Sequence, residues 1–129
     1  NLTLLGAIED IPTAMAAADI VVFPATVGHF ARPIIEAGFM KKPVIASRLA
    51  PLDELVIDNE TGLLLAPNDP DAWADALATL LTNAKQRTTM GQAGYLYCSE
   101  KFSLPHQNNQ IAQLYVTILK GDHHEPLGS

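Results

Sequence analysis

Val21–Ser47, VVFPATVGHFARPIIEAGFMKKPVIAS, is the stretch from which the fold can be read. Ile20–Phe23 is a short apolar run of the kind that forms a buried parallel strand, and Pro43–Ala46 reads as the next one. Between them Pro33 suits the first position of a helix that Ile34–Met40 can continue. Strand, loop, helix and strand make one unit of an open α/β sheet, where ligand sites form beyond the strand ends. The helix start leaves backbone N–H groups free at the positive end of the dipole, which favours a phosphate or sugar oxygen. Helical side chains lean toward their own N-terminus, so Glu36, one turn in, is aimed at the same place. A carboxylate beside an anion-friendly backbone suits a molecule that carries both phosphate and hydroxyl groups.

Outward from this unit the pattern continues. Leu2–Leu5 reads as a strand, Gly6–Asp10 as a turn, and Ile11–Ala18 as a short helix capped by Asp10. After the central unit, Pro51 opens a short helix whose Asp53 and Glu54 complement its positive end, and Gly62 turns the chain into a last strand at Leu63–Ala66. Asp69 then caps a helix with Pro70 at its first position, and Trp73, Leu77, Leu80 and Leu81 form a single apolar stripe. A less regular helix covers Lys85–Cys98. Ser103 introduces a final one with Ile111, Leu114, Tyr115, Ile118 and Leu119 on one face, and residues 121–129 read as a disordered or expression-derived tail. Four strands alternating with helices predict an α/β fold, a Rossmann-like parallel sheet with flanking helices joined by right-handed crossovers.

Composition bounds the function classes. A chain of 129 residues, 48% of them hydrophobic, can build one core. A net charge of −6 disfavours capture of nucleic acid or anionic lipid. One cysteine, Cys98, rules out an intrachain disulfide and fits a reducing compartment. No run approaches the roughly 20 apolar residues that span a bilayer, and no signal peptide opens the sequence, so a cytoplasmic location is expected. His106, His123 and His124 lack the spacing of a metal site, and no metal or cofactor is expected.

Pro24, Phe30, Pro33, Glu36, Ala37 and the run Lys42–Ala46 carry a resemblance. Together with Leu4–Gly6, Ala18–Asp19, Thr61–Gly62, Asp69–Pro70, Phe102–Ser103 and Leu114–Tyr115 they resemble the donor-binding region of the retaining glycosyltransferases of GT-B architecture, in the glycosyltransferase 4 or group 1 family. The likeness is collinear and covers roughly Leu2–Lys120. It implies that residues 1–120 are the later portion of a nucleotide-sugar-binding, Rossmann-like domain, a partial GT-B C-terminal domain. Earlier strands, an Arg and Lys pair for the diphosphate and an N-terminal acceptor domain would belong to a longer parent. The implied reaction moves a sugar from a nucleotide diphosphate sugar to an acceptor hydroxyl with retention, by electrostatic stabilisation of the departing diphosphate and without a metal. The isolated chain is expected to be inactive.

Within that resemblance Glu36 would accept hydrogen bonds from ribose hydroxyls, and the backbone of Phe30, Ala31 and Arg32, leading into Pro33, would meet phosphate or sugar oxygens. Four positions depart from the family pattern. Gly28 stands where the first of two paired acids is usual, His29 and Ala31 stand where glycines are usual, and Arg32 replaces an aliphatic residue. Without the first acid the sugar must be held by other groups, with His29 and Arg32 nearest. Free nucleoside diphosphate is then expected to bind about as well as its conjugate, and Gly28→Glu to favour the conjugate if the loop tolerates the side chain.

Other readings weigh against each residue. Glu36 could merely complement the helix dipole, His29 could be a solvated loop residue, and Arg32 could form a surface ion pair. Lys41 and Lys42 suit a solvated helix end, Glu54 a first-turn acid and Trp73 the core. At the level of the whole chain, the alternatives are a non-catalytic nucleotide-binding or interaction domain on the same scaffold and a flavodoxin-like regulator.

Overall fold

The computed structural model of the protein describes residues 2–119, with the side chains of 117–119 outside that description. The expected tail at 121–129 lies outside the described residues.

Three strands, β1 (Val21–Phe23), β2 (Val44–Ser47) and β3 (Gly62–Leu65), form a parallel sheet in the order β1-β2-β3. Val21 lies opposite Val44, and Val44 opposite Gly62. Five helices accompany them: α1 (Ile11–Ala17), α2 (Arg32–Phe39), α3 (Pro70–Thr82), α4 (Ala84–Lys101) and α5 (Leu104–Leu119), with a 3₁₀ turn at Leu52–Glu54. Each expected strand and helix from Ile11 onward is therefore present to within a few residues at its ends.

β2 is the middle strand, and all four of its residues are buried. Its alternation divides the core in two. Val44 and Ala46 pack with Ile34 and Ala37 of α2 and with Leu52, Leu55 and Val56, while Ile45 faces Trp73, Ala76 and Leu80 of α3 and Met90 of α4. Trp73 is core, with its indole N–H donating to the Ala66 carbonyl at 2.8 Å. Burial on both faces explains the continuous apolar reading of this strand, because neither side needs polar residues.

Two sequence expectations are corrected. Leu2–Leu5 is not a strand: Leu2 and Leu4 are 89% and 88% exposed, and β1 has its ladder partner in β2 alone among the described residues. An apolar run becomes a strand only when a second backbone takes up its N–H and C=O groups, and none described does so. The stripe of α3 is Trp73, Ala76, Leu77 and Leu80, not Leu81, which is 60% exposed. Consecutive helical residues stand roughly 100° apart, which carries Leu81 off the face that Leu80 buries. On α5, Ile111, Leu114 and Tyr115 are exposed.

The C-terminal half of α2 is fixed by α4. Gly91 and Gly38 make the close crossing possible, since a Cβ on Gly91 would overlap the Lys41 carbonyl and one on Gly38 the Cys98 sulfur. Burial pushes the Cys98 thiol up to about 11, against a smaller opposing pull from Lys101. The segment after β2 is fastened too. Arg48 Nη2 bonds Asp58 and donates to the Leu64 carbonyl at 2.8 Å, and the Leu64 N–H donates to Asp58 at 2.9 Å. Tyr97 Oη and Lys101 Nζ donate to the Glu54 carbonyl at 2.7 and 2.8 Å, which holds the 3₁₀ turn against α4. These anchors leave the start of α2 and the loop before it facing outward over a rigid base.

Candidate functional site

A cleft of about 1070 Å³ opens beyond the C-terminal end of β1. Phe23 at the strand end, His29 and Phe30 in the following loop, Ala31–Pro33 at the helix start and Glu36 one turn in form one wall, and Glu9, Ile11 and Pro12 ahead of and within α1 form the other. Of the residues proposed from sequence, His29, Phe30, Ala31, Arg32, Pro33 and Glu36 come together here. Gly28 does not line the cleft.

The helix start differs from its neighbours in a way the sequence explains. Asp10, Asp69 and Asn83 cap α1, α3 and α4 by accepting from Thr13, Ala72 and Gln86 N–H at 3.1, 3.0 and 3.0 Å. Ala31, the cap of α2, has no side-chain acceptor, and Pro33 has no N–H to satisfy. The positive end of α2 therefore meets the cleft without a carboxylate or amide of its own at the cap position. Glu36 supplies the carboxylate from inside the helix. Its Oε1 lies 3.4 Å from Arg32 Nε, with the Arg32 side chain 83% exposed and that of Glu36 40%. The two charges face the cleft as a loose pair that a ligand can reach.

His29 is an exposed loop residue whose ring has two neighbours. Its Nδ1 lies 3.2 Å from the Val27 carbonyl oxygen, and its ring is 5.4 Å from Phe23, tilted by 53°. Gly28, immediately before it, lies against the segment after β2: a Cβ there would overlap the Ala50 carbonyl oxygen. That carbonyl belongs to the stretch fastened by Arg48 on one side and by Tyr97 and Lys101 on the other, so it has little freedom to withdraw. Gly28→Glu is expected to favour the conjugate only if the loop tolerates the side chain, and that condition is not met by the loop as it stands. The obstacle is backbone rather than a flexible side chain, and position 28 admits no side chain without moving the loop.

Glu9, Ile11, Pro12 and Phe23 were not anticipated as cleft residues. Asp10 marked the helix start in the sequence, but that the start of α1 and the start of α2 line one cleft has no local signal. Among the described residues, no three His, Cys, Asp or Glu side chains gather into a metal site, and no helix is long and apolar enough to cross a membrane.

Known proteins share this architecture. Residues 1–97 match the family described as glycosyl transferases group 1. A D-inositol 3-phosphate glycosyltransferase of Corynebacterium efficiens is 36% identical over 107 residues, which cover 83% of this chain and 25% of that protein. The chain thus spans about a quarter of that relative's length. Among solved structures, Anabaena Alr3699/HepE in complex with UDP superposes with a TM-score of 0.81 at 31% identity, covering 88% of this chain and 31% of that one. The same protein in complex with UDP-glucose gives a TM-score of 0.77 at 30% identity, with the same coverage. The C-terminal domain of a group 1 glycosyl transferase (LpcC) from Francisella tularensis gives 0.70 at 30% identity, covering 80% of this chain and 53% of that domain. With its parallel sheet, its flanking helices and a family match over 97 residues, this chain belongs to the glycosyl transferases group 1 family.

Proposed function

We propose that this chain forms the later portion, residues 1–120, of the donor-binding domain of a glycosyltransferase that moves a sugar from a nucleotide diphosphate sugar to an acceptor hydroxyl with retention. The observation that carries it is the cleft at the end of β1, where Glu36 faces the uncapped start of α2. Glu36 accepts hydrogen bonds from ribose hydroxyls, and the backbone around Phe30–Arg32 meets phosphate or sugar oxygens. Arg32 brings a cation to the same opening. The similarity to a protein solved with UDP and with UDP-glucose supports a nucleotide-sugar donor.

The acceptor site and the cationic pair for the diphosphate belong, in this reading, to preceding segments of a longer cytoplasmic protein. Stabilising a departing diphosphate needs preorganised positive charge on both walls of the cleft, and Arg32 is a single cation. These 129 residues alone therefore transfer no sugar. No metal is required in the scheme.

A second reading has its own observation. The Ala50 carbonyl closes the position of the family's first acid, which favours a domain that binds nucleotide without turnover. A transfer assay on the intact protein with UDP-, GDP- and ADP-sugars separates the two. Sugar transfer or donor hydrolysis supports the enzyme. Nucleotide binding with no turnover of any donor leaves the binding domain, and turnover by the isolated 129 residues overturns the division of labour described here.

A further inference from the structure

We propose that His29 is the residue through which this cleft reads the sugar half of a nucleotide sugar, an inference that rests on the donor-binding reading above. Position 28 cannot do so, because the Ala50 carbonyl occupies the space that a side chain there would need. The next residue in the chain, His29, lines the cleft and arrives already oriented. Its Nδ1 lies 3.2 Å from the Val27 carbonyl and its ring leans on Phe23.

The chemistry of that arrangement selects a hydroxyl. A carbonyl oxygen can only accept, so the Val27 contact places a hydrogen on Nδ1 and leaves Nε2 as the remaining polar atom of the ring. Nε2 is an acceptor in the neutral ring and a donor in the imidazolium. A sugar hydroxyl, which both donates and accepts, suits that atom in either form, whereas an ionised diphosphate only accepts and suits it in the second alone, which directs His29 to the sugar. Arg32 is placed for the other task. Its Nε is engaged with Glu36 at 3.4 Å, on the ribose side, and a guanidinium carries no acceptor at all. Two contacts already restrain the imidazole, so ordering it on binding costs little. The expectation of equal binding for diphosphate and conjugate is revised accordingly: one neutral hydrogen bond is expected to give the matching conjugate a preference of about five- to tenfold.

The test is calorimetric titration of the intact protein with UDP, GDP and ADP, each against its glucose and mannose conjugates. The unsubstituted protein should prefer at least one conjugate to its own diphosphate by that factor. His29→Ala should bring the ratio to within about twofold while leaving diphosphate affinity within about twofold, and His29→Gln, whose amide oxygen can accept, should keep part of the preference. An unchanged ratio in His29→Ala overturns the proposal. So does a wild-type ratio near one for every pair, or an equal fall in diphosphate and conjugate affinity, since the last would make His29 a loop support rather than a sugar contact. Glu36→Gln serves as the control for the underlying reading. If it weakens every ligand while His29→Ala leaves the ratio unchanged, the donor cleft stands and the role of His29 fails. If it weakens none, the donor cleft itself is lost, and the His29 proposal with it.

Discussion

Arg32 Nε and Glu36 Oε1 lie 3.4 Å apart across one turn of α2, so the cation and the carboxylate of the cleft form a loose, exposed pair. Local energetics do not account for the arginine. It sits at the positive end of the helix, where a cation is disfavoured, and with the arginine N-terminal to the glutamate the pair has the weaker of the two orientations. An exposed pair of this kind contributes about 0.3 to 0.5 kcal/mol, little enough for a ligand to open.

Glu36→Gln is therefore expected to leave stability nearly unchanged and to weaken nucleoside diphosphate binding by about 1.5 to 3 kcal/mol, the range for hydrogen bonds to a charged group. Titration of UDP, GDP and ADP into both proteins checks this. Equal affinities for every nucleotide that binds would falsify the ribose role of Glu36.

Gly28→Ala tests the contact with Ala50. The added methyl must push the 24–31 loop from a carbonyl anchored through Arg48 and Glu54, and the expected loss is about 1 to 3 kcal/mol, as for other overpacked positions. Urea unfolding measures it. A variant as stable as the parent would mean that the segment after β2 yields easily.

The Asp58 carboxyl predicts acid sensitivity. Burial works to raise its pKa but is outweighed by the hydrogen bond from Arg48, the Leu64 N–H and the guanidinium charge, leaving it below its usual 3.8. A depressed folded-state pKa gives stability that is present above the unfolded value and lost as pH falls through the folded one. Asp58→Asn should therefore lower the thermal midpoint at pH 6. The gap between variant and parent should narrow as pH drops below 3.8 and the parent's own carboxyl takes up a proton. A constant gap down to pH 2.5 would argue against this account.

Cys98 predicts the opposite limb. Its thiol is pushed up from 9.0 to about 11 by burial against α2, so its contribution is intact below the unfolded value and fades between 9.0 and about 11 as the thiolate forms. At pH 8 the native protein should react with iodoacetamide more than about tenfold slower than after unfolding in urea. Fast labelling of the native state would show that the α2 and α4 crossing opens readily.

Much of this molecule was legible from local chemistry. Asp10 and Asp69 announced helix starts because their side chains accept from amides three residues on, a bond that needs no distant partner. The apolar runs around β1, β2 and β3 announced strands, and Glu36 could be aimed at the α2 start because the tilt of helical side chains is a property of the helix alone. The sequence by itself thus determined the α/β frame, the three central strands and the wall of the cleft that runs from His29 to Glu36.

What it did not determine depends on which backbones meet. Leu2–Leu5 has the composition of a strand, yet pairing is a property of two segments, and no described segment supplies the second. The Glu9–Pro12 wall exists only because the start of α1 lines the same cleft as the start of α2. Only the tertiary structure showed that residue 28 is glycine for want of space, since the obstacle, the Ala50 carbonyl, lies 22 positions further along the chain. Local bonds can be counted along a sequence, whereas the volume left between two loops is set by every contact that anchors them.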